Sequence, residues 1–275
     1  MRSGRGNRGV RKRNRSLIAQ LAAALGFLTR LPVGRGPAFD AKDVARSARW
    51  FPLVGALLGG IYAAALWLLR PVFPSLVTAV VIVAIDAWLT GALHLDGLAD
   101  TADGFGGGRT REEALRIMRD HAIGSYGAVA LILVMALKIA AIAALADSRR
   151  AASCLVLAPA LGRWSAVLSS ATEPYARPLE DDGPQSVGSP IRFVGRSELT
   201  AATVLAVAIA AATNGWPPDR RYAAAACAIL ALVAAATAAW AWRCRRRIGG
   251  VTGDTLGAGI EISECLVLLF FTAFR

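Results

Sequence analysis

Apolar runs close to bilayer length alternate along this chain with short polar breaks. The runs cover residues 51–69, 76–95, 123–146, 151–170, 199–213 and 222–242, with a shorter one at 262–274. A bilayer core of about 30 Å takes roughly 20 helical residues, whereas a soluble domain would show half-buried amphipathic elements. The segment 16–31 is marginal in length and contains Gln20 and Gly26, a pattern for a helix that lies in the interface or re-enters. Proline and arginine punctuate the breaks at Arg70-Pro71, Asp147 to Arg150 and Trp216-Pro217-Pro218. Neighbouring runs therefore pair as helical hairpins. The pattern predicts an all-α, polytopic integral membrane bundle of about seven spans plus an interfacial or re-entrant N-terminal segment.

Charge then decides sidedness. The chain is 55% hydrophobic yet carries a net charge of +12. Arg2, Arg5, Arg8, Arg11, Lys12, Arg13 and Arg15 crowd the first fifteen residues without an acid, and no convincing small-residue cleavage site follows. Residues 1–15 read as a disordered basic arm lying on anionic headgroups, ahead of a single membrane-embedded domain at 16–275. If 51–69 and 76–95 form a hairpin, residues 32–50, 96–122, 171–198 and 243–261 share one face. With the arm, that face holds 23 of the 31 Lys and Arg, against Arg70, Arg149, Arg150, Arg220 and Arg221 opposite. The bias makes the large-loop face cytoplasmic. The basic residues form no face with interleaved aromatics, so the excess charge does not point to nucleic acid. Cys154, Cys227, Cys244 and Cys265 lack CxxC spacing, and only His94 and His121 accompany them; neither disulfides nor zinc are expected.

The chemistry gathers at the end of the second run, in HLDGLADTADGFGGG at 94–108. Asp96, Asp100 and Asp103 are spaced i, i+4 and i+7, which puts them within about 60° on a helix. Three like charges on one stripe repel unless a cation sits between them, and without one at least one carboxylate pKa should rise. Such an array holds Mg²⁺ against phosphate oxygens or supplies a general base. The glycines that follow bring backbone amides within reach of phosphate, but no Gly-Lys-Ser/Thr follows to make a P-loop. Thr110 and Glu113 fit a capping box, and Glu112 sits one turn before Arg116. For Arg116, Arg119 and Asp120, a solvated helix face and a phosphate clamp are both open.

A second acidic cluster lies in GGVTGDTLGAGIEISE at 249–264. Asp254 and Glu261 share a helical face, with Glu264 to one side, and acids entering a membrane segment face a protein interior or an aqueous cavity. Arg163, in an apolar run, costs about 2.5–3.5 kcal/mol at a helix centre if unpaired, so it must face an acid or an anionic ligand. Asp86 and Lys138, also inside spans, are expected to pair with each other. Arg177, at a membrane exit, is a second candidate phosphate clamp. Carboxylates at a cytoplasmic boundary with nearby arginines point to metal-dependent phosphoryl transfer on a membrane-associated substrate.

These motifs resemble the cobalamin synthase family, the adenosylcobinamide-GDP ribazoletransferases, from about Phe27 to the end of the chain. The matching strings are FLTRLPV at 27–33, RWFPLVGALLGG at 49–60, TGALHLDGLADTADGFGG at 90–107, IMRDHAIGSYG at 117–127 and TGDTLGAGIEISE at 252–264. The resemblance implies an integral inner-membrane transferase that needs Mg²⁺. It would move the corrinoid phosphoryl group of adenosylcobinamide-GDP to α-ribazole or α-ribazole 5′-phosphate, releasing GMP. Asp96, Asp100 and Asp103 then become the metal and catalytic candidates, with Arg116, Arg119, Asp120, Arg163, Arg177, Asp254 and Glu261 as substrate-binding candidates. His94 opens the motif, with packing and a polar contact equally open, and assembly into a homo-oligomer is open too.

Two departures stand out. Many family members carry Ser-Arg where this chain has His121-Ala122, and the linker after Arg177 is unusually acidic at Glu180, Asp181 and Asp182. The rival enzyme is a CDP-alcohol phosphotransferase, whose pattern is D-x2-D-G-x2-A-R followed by G-x3-D-x3-D. This chain has D-x3-D-x2-D-G without a matching second half. A transporter would place its acids near the midplane within an inverted repeat, and neither is evident.

Overall fold

The structure, a computed structural model, describes residues 16–33, 40–177, 189–213 and 220–273. The basic arm at 1–15 and the acidic linker at 180–182 lie outside the described residues. Eleven α-helices follow in order: α1 (Leu17–Leu28), α2 (Ala41–Ser47), α3 (Phe51–Leu69), α4 (Ser75–Thr90), α5 (Leu93–Gly107), α6 (Arg111–Ile117), α7 (Ser125–Leu145), α8 (Ala151–Thr172), α9 (Arg196–Thr213), α10 (Arg220–Ile248) and α11 (Gly253–Ala273). Short 3-10 turns at Ala48–Trp50 and Ser189–Phe193 join them. Six helical stretches are long and apolar enough to cross a membrane, and α4 with α5 makes up to a seventh. The all-helical polytopic bundle is thus as expected. At 12 residues, α1 is about 18 Å long, too short to cross.

The run expected at 76–95 does not continue through. It stops at Thr90, and the chain turns by 90° into α5. Gly91 and Ala92 both adopt left-handed backbone, with φ of 66° and 58°. Glycine takes that conformation freely, whereas alanine there is strained, so nothing in the apolar pattern announces the turn. Helix α5 thus runs at right angles to α4 and carries its aspartates away from that helix's axis. Two other boundaries shift. The run expected to end at 242 continues to Ile248, and the one expected from 262 begins at Gly253. The second acidic cluster sits on one continuous helix, α11, as its helical spacing expects.

The bundle is built around α8 and α11, which bury Leu157, Leu161, Arg163, Val167, Glu261 and Val267 almost completely. Helix α3 reaches α8 through Gly55 and Gly59, one turn apart. A Cβ at Gly55 would stand 2.2 Å from the Pro159 carbonyl oxygen, and one at Gly59 would stand 2.3 Å from that of Leu155. Pro159 lies inside α8 and has no N–H for the Leu155 carbonyl. The glycine backbone of α3 approaches that freed carbonyl, the small-residue packing that replaces hydrophobic drive between helices in lipid.

Charge is paired deep in the same bundle. Lys138 Nζ of α7 donates to Asp86 of α4 at 3.0 Å and to Glu261 and Glu264 of α11 at 3.0 and 2.6 Å. Arg163 of α8 pairs with the other Glu264 oxygen, and the Tyr62 hydroxyl of α3 donates to Asp86 at 2.6 Å. The expected Asp86–Lys138 pair is present, and Arg163 faces an acid.

Glycine at 55 and 59 is thus a packing requirement. Gly55→Leu or Gly59→Leu should lower stability by more than about 3 kcal/mol in thermal unfolding of the detergent-solubilised protein. Gly60→Ala, at a position where an added Cβ meets nothing within 4 Å, should leave the midpoint unchanged or raise it through helix propensity.

Candidate active site

Three segments meet at one end of the bundle. The exit of α8 is tied to the turn between α10 and α11 by backbone bonds: Ala176 N–H donates to Val251 at 2.8 Å, and Val251 N–H to Pro174 at 2.9 Å. A Cβ on Gly250 would stand 2.1 Å from the Pro174 carbonyl oxygen, so the clamp requires a bare backbone. It brings Arg177 against Asp254, whose Oδ2 accepts from the guanidinium at 2.6 Å. Helix α5 then crosses α11 at Gly97, where a Cβ would come within 2.7 Å of the Asp254 carbonyl oxygen. Asp96 and Asp100 are thereby delivered beside Asp254.

The consequence is electrostatic. The Asp100 carboxyl is pushed up to about 7 by partial burial and by the negative charges of Asp254 and Asp96, with Arg177 opposing. This is the like-charge strain expected of the stripe, but its largest charged neighbour is Asp254 rather than another member of the stripe. Asp96 is exposed and Asp100 half-buried.

Asp103 does something different. It is buried, and its two carboxylate oxygens accept from the backbone N–H groups of Gly124 and Gly127 at 2.7 and 2.8 Å. These amides belong to the N-terminus of α7, where a carboxylate offsets the helix dipole and the unpaired donors. A Cβ at either position would fall within 2.4 Å of a carboxylate oxygen, so glycine lets Asp103 reach both amides. Asp103 fastens α5 to α7.

Asp96, Arg177 and Asp254 line a cavity of about 150 Å³. Its remaining wall is mainly apolar and comes chiefly from α1, α2, the start of α3, α8, the 3-10 turn at 189–193 and α11, including Phe27, Val44, Phe51, Val167, Ile191 and Leu256. All four segments expected to share the large-loop face contribute: 32–50, 96–122, 171–198 and 243–261. The apolar contribution of α2 and the 189–193 turn was not foreseen, because so short a helix and a lone turn give no periodic signal.

The other candidates lie elsewhere. Arg116, Arg119 and Asp120 are exposed on α6 and the turn after it, and none lines the cavity. The Thr110 cap forms, with Glu113 N–H donating to Thr110 Oγ1 at 3.1 Å and Arg109 N–H to Glu113 at 2.8 Å. Arg163 is wholly buried against Glu264, and Glu261 is held by Lys138. The cluster at 249–264 is thus split: Asp254 faces the cavity, while Glu261 and Glu264 belong to the bundle interior.

Two acidic groups compete as a cation site. Among the described residues, Asp86, Glu261 and Glu264 bring their oxygens within 4.8 Å of one another. Lys138 already donates to all three there, so an ammonium supplies the cation. Asp96, Asp100 and Asp254 are more open, and Asp96 and Asp254 line the cavity. Their hard oxygen donors and mutual repulsion fit Mg²⁺, which keeps several waters and needs only one or two carboxylates.

Residues 20–272 match the family model for cobalamin-5-phosphate synthase. Curated relatives named adenosylcobinamide-GDP ribazoletransferase align over nearly their whole length. The protein of Leptothrix cholodnii is 38% identical over 91% of this chain and 93% of its own. That of Syntrophobacter fumaroxidans is 41% identical over 91% and 96%, and that of Ralstonia nicotianae 39% over 94% and 97%. No solved structure matches the chain. With the acidic, arginine-clamped cavity at one end of a membrane bundle and a family match spanning almost its full length, the chain belongs to the cobalamin-5-phosphate synthase family.

Proposed function

We propose that this protein transfers the corrinoid phosphoryl group of adenosylcobinamide-GDP to α-ribazole or α-ribazole 5′-phosphate, releasing GMP, as the names of its relatives say of them. The observation that carries the reading is the convergence of Asp96, Asp254 and Arg177 at the polar side of a mainly apolar cavity, with Asp100 in the electrostatic reach of all three. The acceptor hydroxyl oxygen bonds to the phosphorus next to the corrinoid arm as the bond from that phosphorus to GMP breaks. The hydroxyl proton passes to a carboxylate. Arg177, held by Asp254, is placed to neutralise the diphosphate. Asp96, Asp100 and Asp254 would hold Mg²⁺, which supplies charge neutralisation at the phosphate oxygens. Positive charge concentrated on the large-loop segments supports a site on the cytoplasmic side of the inner membrane.

The direct test is purified protein in detergent or liposomes with adenosylcobinamide-GDP, α-ribazole and Mg²⁺, following GMP and the joined corrinoid. GMP release that stops with chelator and returns with Mg²⁺ is expected; no product with any divalent metal would sink the reading. Asp96→Asn should lower kcat by about 100-fold or more without lowering the melting temperature. Asp103→Asn should lower turnover for another reason. It removes one acceptor from two buried N–H groups, at a cost of about 1–3 kcal/mol, so its melting temperature should fall.

Asp100 predicts a pH dependence. The folded protein binds this proton more tightly than the unfolded chain, whose Asp100 titrates near the ordinary 3.8. Raising the pH from about 4 to about 7 therefore removes stability. In metal-free buffer, Asp100→Asn should gain melting temperature over the parent as the pH rises through that window, with little difference at its acidic end.

A further inference from the structure

Two arginines outside the cavity cap each other's neighbouring helices and so hold together the segments that carry the site. Arg111, the first residue of α6, donates from Nε to the Ile248 carbonyl at 2.7 Å and from a terminal nitrogen to the Ala176 carbonyl at 2.9 Å. Ile248 ends α10, and its carbonyl is one of the orphan acceptors of a helix C-terminus. Gly249, with φ of 82°, turns the chain away at that point. Arg247, next to Ile248, reaches back in the other direction. It donates to the carbonyls of Phe105 and Arg109 at 3.2 and 3.4 Å, and to that of Gly108. Those acceptors belong to the last turn of α5 and the residues just after it. Beneath the two side chains, Ala114, Ala176 and Ile248 form a small buried cluster. Neither arginine lines the cavity.

The strap joins the parts whose relative position makes the site. The Ala176 carbonyl shares a peptide plane with the Arg177 N–H, so the bond from Arg111 fixes the peptide from which the Arg177 side chain departs. Ile248 leads through Gly249 and Gly250 into Val251, whose backbone bonds to Pro174 and Ala176 form the clamp. Helix α6 is seated in turn on α5, where a Cβ on Gly104 would stand 2.9 Å from the Ala114 carbonyl oxygen. A guanidinium suits this junction, because its planar fork donates to two acceptors at once and stays charged. These donors of Arg111 are spent on protein carbonyls rather than on a ligand. Taking the proposed reaction as given, we infer that Arg111, with Arg247 as the return strap, is a positioning residue. It holds Arg177 beside Asp254 and Asp96, where the diphosphate is neutralised.

The test combines steady-state kinetics with calorimetric binding of GDP in the presence of Mg²⁺, on the detergent-solubilised full chain. Arg111→Ala should raise the KM for adenosylcobinamide-GDP and weaken GDP binding, each by about tenfold or more, since a displacement of about 1 Å remote from the chemistry costs up to about 100-fold. The KM for α-ribazole should not move. Arg111→Lys, which keeps the charge without the fork, should recover part of the loss. Arg177→Gln should lose at least as much alone, and adding Arg111→Ala to it should cost nothing more, because the strap acts through Arg177. Equal losses in the two KM values, a second full loss in the double variant, or unchanged GDP binding in Arg111→Ala would overturn the positioning role. So would a parent that does not bind GDP, or failure of both Arg111 variants to fold, which would make the strap a folding element only. GDP binding that responds as expected without any turnover in the parent overturns the proposed reaction alone, and turnover that Arg111→Ala leaves unchanged overturns the strap alone.

Discussion

Five formal charges buried where lipid surrounds the bundle have to be paired, and the arrangement of six helices follows from how they are paired. Lys138 of α7 is shared by carboxylates from α4 and α11, and Arg163 of α8 closes on Glu264. Tyr62 ties in α3, and His94 ties in α5. Removing one partner from such a set leaves an uncompensated charge, at about 3–5 kcal/mol. Sliding any of these helices by one residue would do the same to several groups at once. The network therefore sets register in a way that interchangeable Ala, Val and Leu contacts cannot. Close glycine packing of α3 on α8 then fills in around it.

The active end is built outward from that network. The left-handed pair Gly91-Ala92 turns α5 across the bundle, Arg163 meets its first turn at His94, and Asp103 fastens its last turns to α7. The Pro174–Val251 backbone clamp then sets Arg177 and Asp254 beside Asp96. The acidic residues of the motif thus divide their work. Asp96 and Asp100 stay accessible and crowded, while Asp103 gives both oxygens to backbone amides. Rigid support around a small set of open groups is what phosphoryl transfer asks for, because its catalysis is mostly positioning and charge stabilisation.

Much of this was legible in the sequence. Bilayer-length apolar runs specify spanning helices because lipid leaves the backbone no other way to satisfy itself, and the short breaks between them, read as hairpins, specify which loops share a face. The aspartate spacing announced like-charge crowding, and the resemblance named the reaction. The partition among the acids was not legible. Asp96 and Asp103 fall on one helical stripe and Asp254 and Glu261 on another, yet one of each pair faces the cavity and the other is consumed by the scaffold. Periodicity reports which face a residue shares, but it does not report what stands opposite.

The chain by itself determined the helical membrane class and the residue types available at the site. Only the tertiary structure decided the bend at Ala92, the pairing of Arg177 with Asp254, and the withdrawal of Asp103 and Glu261 into structural bonds. The reason is physical. Hydropathy and helical spacing act locally along the chain, whereas the fate of a charged or polar group depends on which distant helix supplies its counterpart once water has been excluded.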